Sequence, residues 1–286
     1  LINKKTLKSR IKEYISNPMS AIIYFFVMLA TFVTFFVLLY IIGYILVKGV
    51  PYLKPSLFEF NYNSDNVSMM PAIITTIMMT GFSLLLSVPI GVFTAIYLVE
   101  YAKKGNKFVE IVRLTAETLS GIPSIIYGLF GMIFFVSTLG WGFSLMAGAF
   151  TLAIMILPLI MRSTEEALKS VPDTFREASF GLGAGKLRTI FKIIVPSAMP
   201  GISAGIILGI GRIVGETAAL IYTAGTMAKI PTGFFESGRT LSIHMYRLSS
   251  EGFNMNEANA TAVVLLIIVV GLNTLSAVVA KRFTKG

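Results

Sequence analysis

Arg212 and Glu216 are the two charged residues inside an otherwise uncharged run from about Ser197 to Tyr222. Counted from Ser197, Arg212 lies about 22 Å along a helix, well inside a hydrocarbon layer about 30 Å thick. A lone arginine there costs at least ~2.5 kcal/mol on insertion scales, so something must compensate it. Glu216, four residues on, falls one turn along the same helix face, within reach of an ion pair. Two readings follow. Either the pair neutralises itself so that the segment can insert, or Arg212 lines an anion path and Glu216 competes for its donors so that a bound ion is released. A guanidinium offers a planar fork of N–H donors and keeps its charge, which suits a tetrahedral oxyanion better than a sugar or an amino acid.

Other chemistry is sparse. The chain has no Cys and one His, His244, which excludes a disulfide framework, a Cys zinc or iron–sulfur site and a multi-His metal centre. His244 has no acidic and nucleophilic partners at a catalytic spacing and reads as an exposed structural residue of an outer loop, which weighs against an intramembrane protease or acyltransferase. The glycine-rich Gly181-Leu182-Gly183-Ala184-Gly185 is not a phosphate loop: Phe180 stands five residues before Gly185, and Leu187 follows Lys186. No cofactor is expected in this chain.

The elements that must hold Arg212 are membrane helices. Of 286 residues, 55% are hydrophobic and 13% charged, against about 25% charged in a soluble domain. Met19 to Val47 is a charge-free stretch of 29 residues, longer than the roughly 20 needed to cross, and reads as an uncleaved first span. Asn66 to Val99 gives a second, its helix starting near Pro71 and kinked at Pro89. Thr118 to Met161 is 44 uncharged residues long and must hold two spans, turning at 137–142 with Trp141 at the interface. Near the start of this stretch, Gly121-Ile122-Pro123-Ser124 breaks a helix, either to face a polar path or as a packing kink. Span five is the Arg212 segment, and Ala258 to Ala280 is the sixth. On span five, Gly201, Gly205 and Gly209 recur every four residues and Gly211 and Gly215 form a second small pair, spacings that admit neighbouring helices.

The expected architecture is therefore all-α and polytopic: a tail over residues 1–18 and a six-helix domain over 19–286, with outer loops at 48–70 and about 223–257. Eighteen Lys/Arg fall in the tail, the 100–113 loop, the 162–197 loop and the C-terminal end, against five on the opposite side. By the positive-inside rule both termini are cytoplasmic. The same sorting accounts for the net charge of +10 without nucleic acid.

The cytoplasmic segment at about 162–197 reads as two short helices around the glycine break, with Thr174 and Glu177 at capping-box spacing. It mixes Arg176, Lys186, Arg188 and Lys192 with Phe175, Leu182, Leu187, Ile190 and Phe191, a blend suited to a protein partner or the lipid surface. Within it, Glu177-Ala178-Ser179, then Gly183-Ala184, Phe191, Ile194 and Pro196 resemble the EAA loop of ABC-importer permeases, with Ser179 where the motif has Ala. The resemblance implies a type I importer permease fold and a coupling helix that docks on a cytoplasmic ATPase through Glu177, Ala178, Ser179, Gly183, Ala184, Phe191 and Pro196.

A narrower resemblance rests on three runs. Gly209-Ile210-Gly211-Arg212-Ile213-Val214-Gly215-Glu216-Thr217-Ala218-Ala219-Leu220, Gly121 to Gly131, and Ser237-Gly238-Arg239-Thr240-Leu241 are similar to the PstA-type permeases of phosphate importers. This implies PstB-like ATPase subunits carrying ATP and Mg, a PstC-like second permease, an external PstS-like phosphate-binding protein, and Arg212 on the phosphate path. A related oxyanion, an ungated anion channel and an intramembrane enzyme are the alternatives.

Overall fold

The computed structural model describes residues 18–103 and 105–284, and these form helices joined by loops, with no strand among them. The basic tail ahead of Pro18 and Lys285 lie outside the described residues. Five helices are long and apolar enough to cross a membrane: α1 (Pro18–Gly49), α2 (Met70–Tyr101), α5 (Leu145–Lys169), α7 (Lys186–Gly215) and α10 (Met255–Thr284). A bent pair supplies the sixth crossing: α3 (Lys107–Ser120) and α4 (Ser124–Thr138) meet at 103°. Shorter helices are α6 (Asp173–Gly181), α8 (Ala218–Ile221) and α9 (Leu241–Glu251). The six expected spans are all present, with shifted boundaries.

Gly121-Ile122-Pro123 makes the expected helix break, in the form of a corner. Pro123 has extended backbone, ψ 141°, and ends α3 in place of bending a continuous rod. The third crossing thus begins at Ser124, and much of the 100–113 segment is the amphipathic α3. Its Arg113 pairs at 2.7 Å with the buried Glu165 of α5, which Lys169 also reaches at 2.6 Å. α5 runs on to Lys169, so the loop read as starting at 162 is a tighter elbow over 170–185. We call this the elbow end of the bundle.

α5 is the most buried crossing and packs against α2, α4 and α7. α2 brings it a polar stripe that satisfies itself: Thr75, Thr76, Thr80 and Ser87 donate to carbonyls one turn back, and Ser83 donates to Ala149 O at 3.3 Å. α7 brings glycines. A methyl group on Gly201 would lie 2.6 Å from Ala167 Cβ, one on Gly205 2.6 Å from Ser163 Cβ, while Gly209 faces Ile160 at 3.9 Å. The expected 201/205/209 repeat is therefore the α5–α7 seam. Among the described residues nothing of a neighbouring element lies within 4 Å of such a methyl on Gly211 or Gly215, so that pair meets no helix among them.

The segment 223–257, expected as a polar outer loop, turns back into the bundle at the far end. Ala224, Leu241, Ser242, Ile243 and His244 are buried, and α9 packs on α10. Trp141, placed at an interface by sequence, stacks on Phe135 at 5.3 Å and meets Phe150 and Phe235 edge-on.

The seam gives a test. Gly205→Leu should destabilise the isolated chain in detergent by about 1–3 kcal/mol through overpacking, read as a lower midpoint of thermal unfolding. Gly211→Leu should leave the midpoint near wild type; equal losses at both positions would contradict the assigned seam.

Candidate functional site

Span five does not run through to Tyr222. α7 stops at Gly215, Glu216 is extended at φ −73°, ψ 127°, and after Thr217 the chain makes only the single turn of α8. The level of this break follows from the seam. Gly201, Gly205 and Gly209 step past Ala167, Ser163 and Ile160, so three residues later Arg212 is level with about Leu157, midway along α5 and about 18 Å from either of its ends. Arg212 thus occupies the last turn of a half-helix near the centre of the bundle. The sequence reading placed Arg212 in the interior of a helix, and the structure places it at the end of one.

The expected ion pair does not form. Glu216 is 8% exposed and faces away into the break: its carboxylate accepts the Ala219 N–H at 3.0 Å, and its carbonyl accepts the Ser242 hydroxyl of α9 at 2.6 Å. The i,i+4 geometry required a helix through residue 216, and the helix ends one residue earlier. Glu216 instead caps α8 and holds the two halves of the broken span together, so it does not compete for the arginine fork.

Arg212 is half-buried and makes no ion pair or hydrogen bond among the described residues. Its position at the C-terminal end of α7 partly offsets the cost of its charge, because the unpaired carbonyls there carry partial negative charge. Across from it stands the corner of the third crossing. Tyr127, in the first turn of α4, donates from its hydroxyl to Leu119 O of α3 at 2.7 Å, bracing the corner, and lies within the electrostatic reach of Arg212. Gly128 is what lets α4 approach the break: a methyl there would sit 2.7 Å from Ala219 Cα. The Gly121–Gly131 run therefore serves packing at Gly128 and Gly131 and shapes the site through the corner. Sequence reasoning missed Tyr127, whose only signal was its place shortly after the Pro123-Ser124 start of a helix.

At the far end, Arg239 is buried over the Tyr62 ring, 4.5 Å from its centroid. His244, expected to be exposed, is fully buried edge-on to the same tyrosine. Desolvation, reinforced by the Arg239 charge, lowers its pKa to about 3, so it stays neutral and is a poor base at neutral pH.

The elbow presents a second surface. α6 closes on Gly183 at φ +81°, with the Ala184 N–H bonded to Ser179 O at 3.1 Å and the Gly183 N–H to Phe180 O at 2.9 Å, a Schellman close that a side chain at 183 would strain. The capping box at Thr174 and Glu177 is not used: Pro172 precedes the first turn, and no side chain caps it. Ser179 is buried and meets the Thr189 hydroxyl at 2.8 Å, tying the two arms. Of the residues expected to face an ATPase, Glu177, Ala178, Gly183 and Phe191 are exposed, Ala184 and Pro196 half-buried, and Ser179 inward. Around them Phe175, Phe180, Leu182 and Leu187 are exposed, Leu182 by 89%, and Phe175, Ala178 and Leu182 edge a groove of about 330 Å³. Two cations read as partner-facing are engaged within the chain: Arg176 turns toward α2, and the exposed Lys186 lies over the Tyr101 ring at 4.6 Å.

The comparisons agree with this geometry. The chain is 33% identical over 258 residues to the probable ABC transporter permease protein YqgI of Bacillus subtilis (strain 168), covering 83% of this chain and 86% of that protein. It is 36% identical over 211 residues to the phosphate transport system permease protein PstA 1 of Mycobacterium tuberculosis (strain CDC 1551 / Oshkosh), covering 73% and 69%. Among solved structures, a chain of the bacterial alginate ABC transporter in complex with its alginate pentasaccharide-bound periplasmic protein superposes with a TM-score of 0.68 at 18% identity, covering 98% of each chain, a likeness of fold. Residues 87–286 match the binding-protein-dependent transport system inner membrane component family, and this chain, with its broken fifth span and its elbow, is a permease subunit belonging to that family.

Proposed function

We propose that this chain is the PstA-type permease of an ATP-driven importer of inorganic phosphate. The observation that carries the reading is the guanidinium of Arg212, unpaired among the described residues, level with the middle of α5 and at the end of a broken helix. The names of the relatives favour phosphate, and the chemistry agrees: a fork of donors held in a low-dielectric bundle binds two oxygens of a tetrahedral anion. Broken helices at the midplane are where transporters bring backbone and side-chain polar groups to a solute. A related oxyanion such as sulfate is the second reading, favoured by the same fork.

The chain lies in the cytoplasmic membrane with both termini on the cytoplasmic side, a reading that the distribution of basic residues supports. The elbow then faces the cytoplasm and docks its exposed apolar face on PstB-like ATPase subunits, which bind the ATP and Mg. A PstC-like permease completes the path, and a PstS-like binding protein delivers phosphate from outside. Hydrolysis belongs to the assembled complex. Nucleotide-driven movement of the elbow, carried through α5 and α7, exposes the midplane alternately to the two sides.

Three measurements test this. In vesicles containing the assembled complex, Arg212→Ala and Arg212→Lys should each lower phosphate uptake at least about tenfold, since the lysine restores charge without the fork, while the ATPase still copurifies. Uptake at the wild-type level in the alanine variant would refute the role, and faster sulfate than phosphate uptake by the wild type would assign the other oxyanion. Glu216→Gln, which keeps an acceptor for the Ala219 N–H, should retain more uptake than Glu216→Ala, which leaves that donor unpaired at a cost of about 1–3 kcal/mol. The opposite order would mean that the carboxylate's charge, and not its cap, is what matters. Leu182→Asp should reduce copurification of the ATPase, and undiminished capture would remove Leu182 from the docking face.

A further inference from the structure

The elbow is fastened to more than the two helices it connects. Arg176, the fourth residue of α6, turns away from the exposed apolar face and uses all five of its N–H donors. Its Nε and Nη2 reach Glu100 Oε1 at 3.1 and 2.7 Å. Nη2 also donates to Leu168 O at 3.1 Å, and Nη1 donates to Val171 O at 2.9 Å and Asp173 Oδ1 at 3.1 Å. Glu100 stands in the last turn of α2, and Leu168 and Val171 belong to the end of α5 and the turn that follows it. One guanidinium therefore clamps α6 and the end of α5 that precedes it to α2, whose Glu100 stands 76 residues back in the chain. The Arg176 and Glu100 side chains are 16% and 8% exposed, so water competes poorly for the pair. Ten residues on, at the start of α7, Lys186 lies over the ring of Tyr101, again in the last turn of α2.

The helices change character where these ties attach. α2 widens into a π-type turn over Tyr97–Tyr101, and α7 does the same over Ile190–Ile194, just after the elbow. Such turns mark functional irregularities in helices, because the wider ring breaks the regular hydrogen-bond ladder.

We propose that Arg176 is a positioning residue for energy coupling: through Glu100 it carries the elbow's movement into α2, so that α2 travels with α5 and α7 as one body. The proposal rests on the reading of the elbow as an ATPase dock and adds a route that the covalent chain does not supply. The polar bonds suit this role because a guanidinium with all five N–H donors engaged is fixed in direction as well as in distance. α2 is also the helix whose Thr76 hydroxyl accepts the Leu241 N–H at the far end, at 2.8 Å, so movement of α2 reaches the segment that closes over the break in span five.

The test uses the whole complex in vesicles, with binding protein and phosphate supplied, and compares Arg176→Lys, Glu100→Gln, Arg176→Ala, Glu100→Ala and the double alanine variant. Copurification of the ATPase reports docking, and phosphate imported per ATP hydrolysed reports coupling. Docking should match wild type, the phosphate concentration giving half-maximal uptake should be unchanged, and the import ratio should fall at least about fivefold in each single variant. The double variant should be no worse than either alanine single, the signature of two residues acting as one link. A wild-type ratio in both Arg176→Lys and Glu100→Gln, or losses that add in the double variant, would overturn the proposal. Loss of assembly in every variant would also overturn it, leaving Arg176 a purely structural residue. Failure of the wild-type chain to capture any ATPase would instead sink the docking reading on which the proposal stands.

Discussion

A guanidinium held deep in the bundle, level with the middle of α5 and with no carboxylate paired to it among the described residues, is the constraint around which the bundle is arranged. Its charge is tolerable because α7 ends one turn after it, so that unpaired carbonyls at the helix terminus face the cation. The helix can end there only if the freed backbone and the side chain of Glu216 find partners inside the protein, and they do, through the Ala219 N–H and the Ser242 hydroxyl. Close approach by α4 at Gly128 and Gly131, and by α5 at Gly148, packs the α8 side of the break. The glycines, the corner at Pro123 and the buried α9 serve a single local requirement.

The two arginines that organise the molecule are opposites. Arg176 has every donor engaged and acts as a fixed joint between the elbow and the spans. Arg212 has no hydrogen bond or ion pair among the described residues and retains its full capacity for a solute. The same side-chain chemistry becomes a strut or a binding group according to whether the fold supplies acceptors. Glu165 repeats the strut pattern with Arg113 and Lys169, holding α3 against α5 close to the elbow end. Engaged joints lie near the elbow, and the cation without a partner among the described residues lies deep in the bundle.

Most of the architecture was legible in the sequence because hydrocarbon imposes its own grammar: uncharged runs of the right length mark the spans, and the glycine repeat at 201, 205 and 209 marks a seam. The elbow was legible as well, since its glycine break and exposed apolar residues are local features. What escaped was every feature set by a partner distant in sequence. Four-residue spacing pairs Arg212 with Glu216 only if the helix continues, and its end at Gly215 is fixed by contacts with α4, α8 and α9. Arg176 looked like a surface cation because nothing local shows Glu100, 76 residues away, waiting for it. Residues 223–257 looked like a loop because their polar content hides that α9, with His244 and Ser242, is buried by folding back.

The absence of cysteine in this chain makes the central claim directly measurable. Arg212→Cys in the assembled complex, with the wild-type complex as control, should transport poorly, react with a small water-borne cationic thiol reagent, and recover part of its phosphate uptake once the ammonium group is attached, while a neutral reagent of the same size restores nothing. A thiol at this position that no aqueous reagent reaches under any nucleotide condition, or uptake that recovers equally with the neutral reagent, would show that the positive charge of Arg212 does not handle the anion.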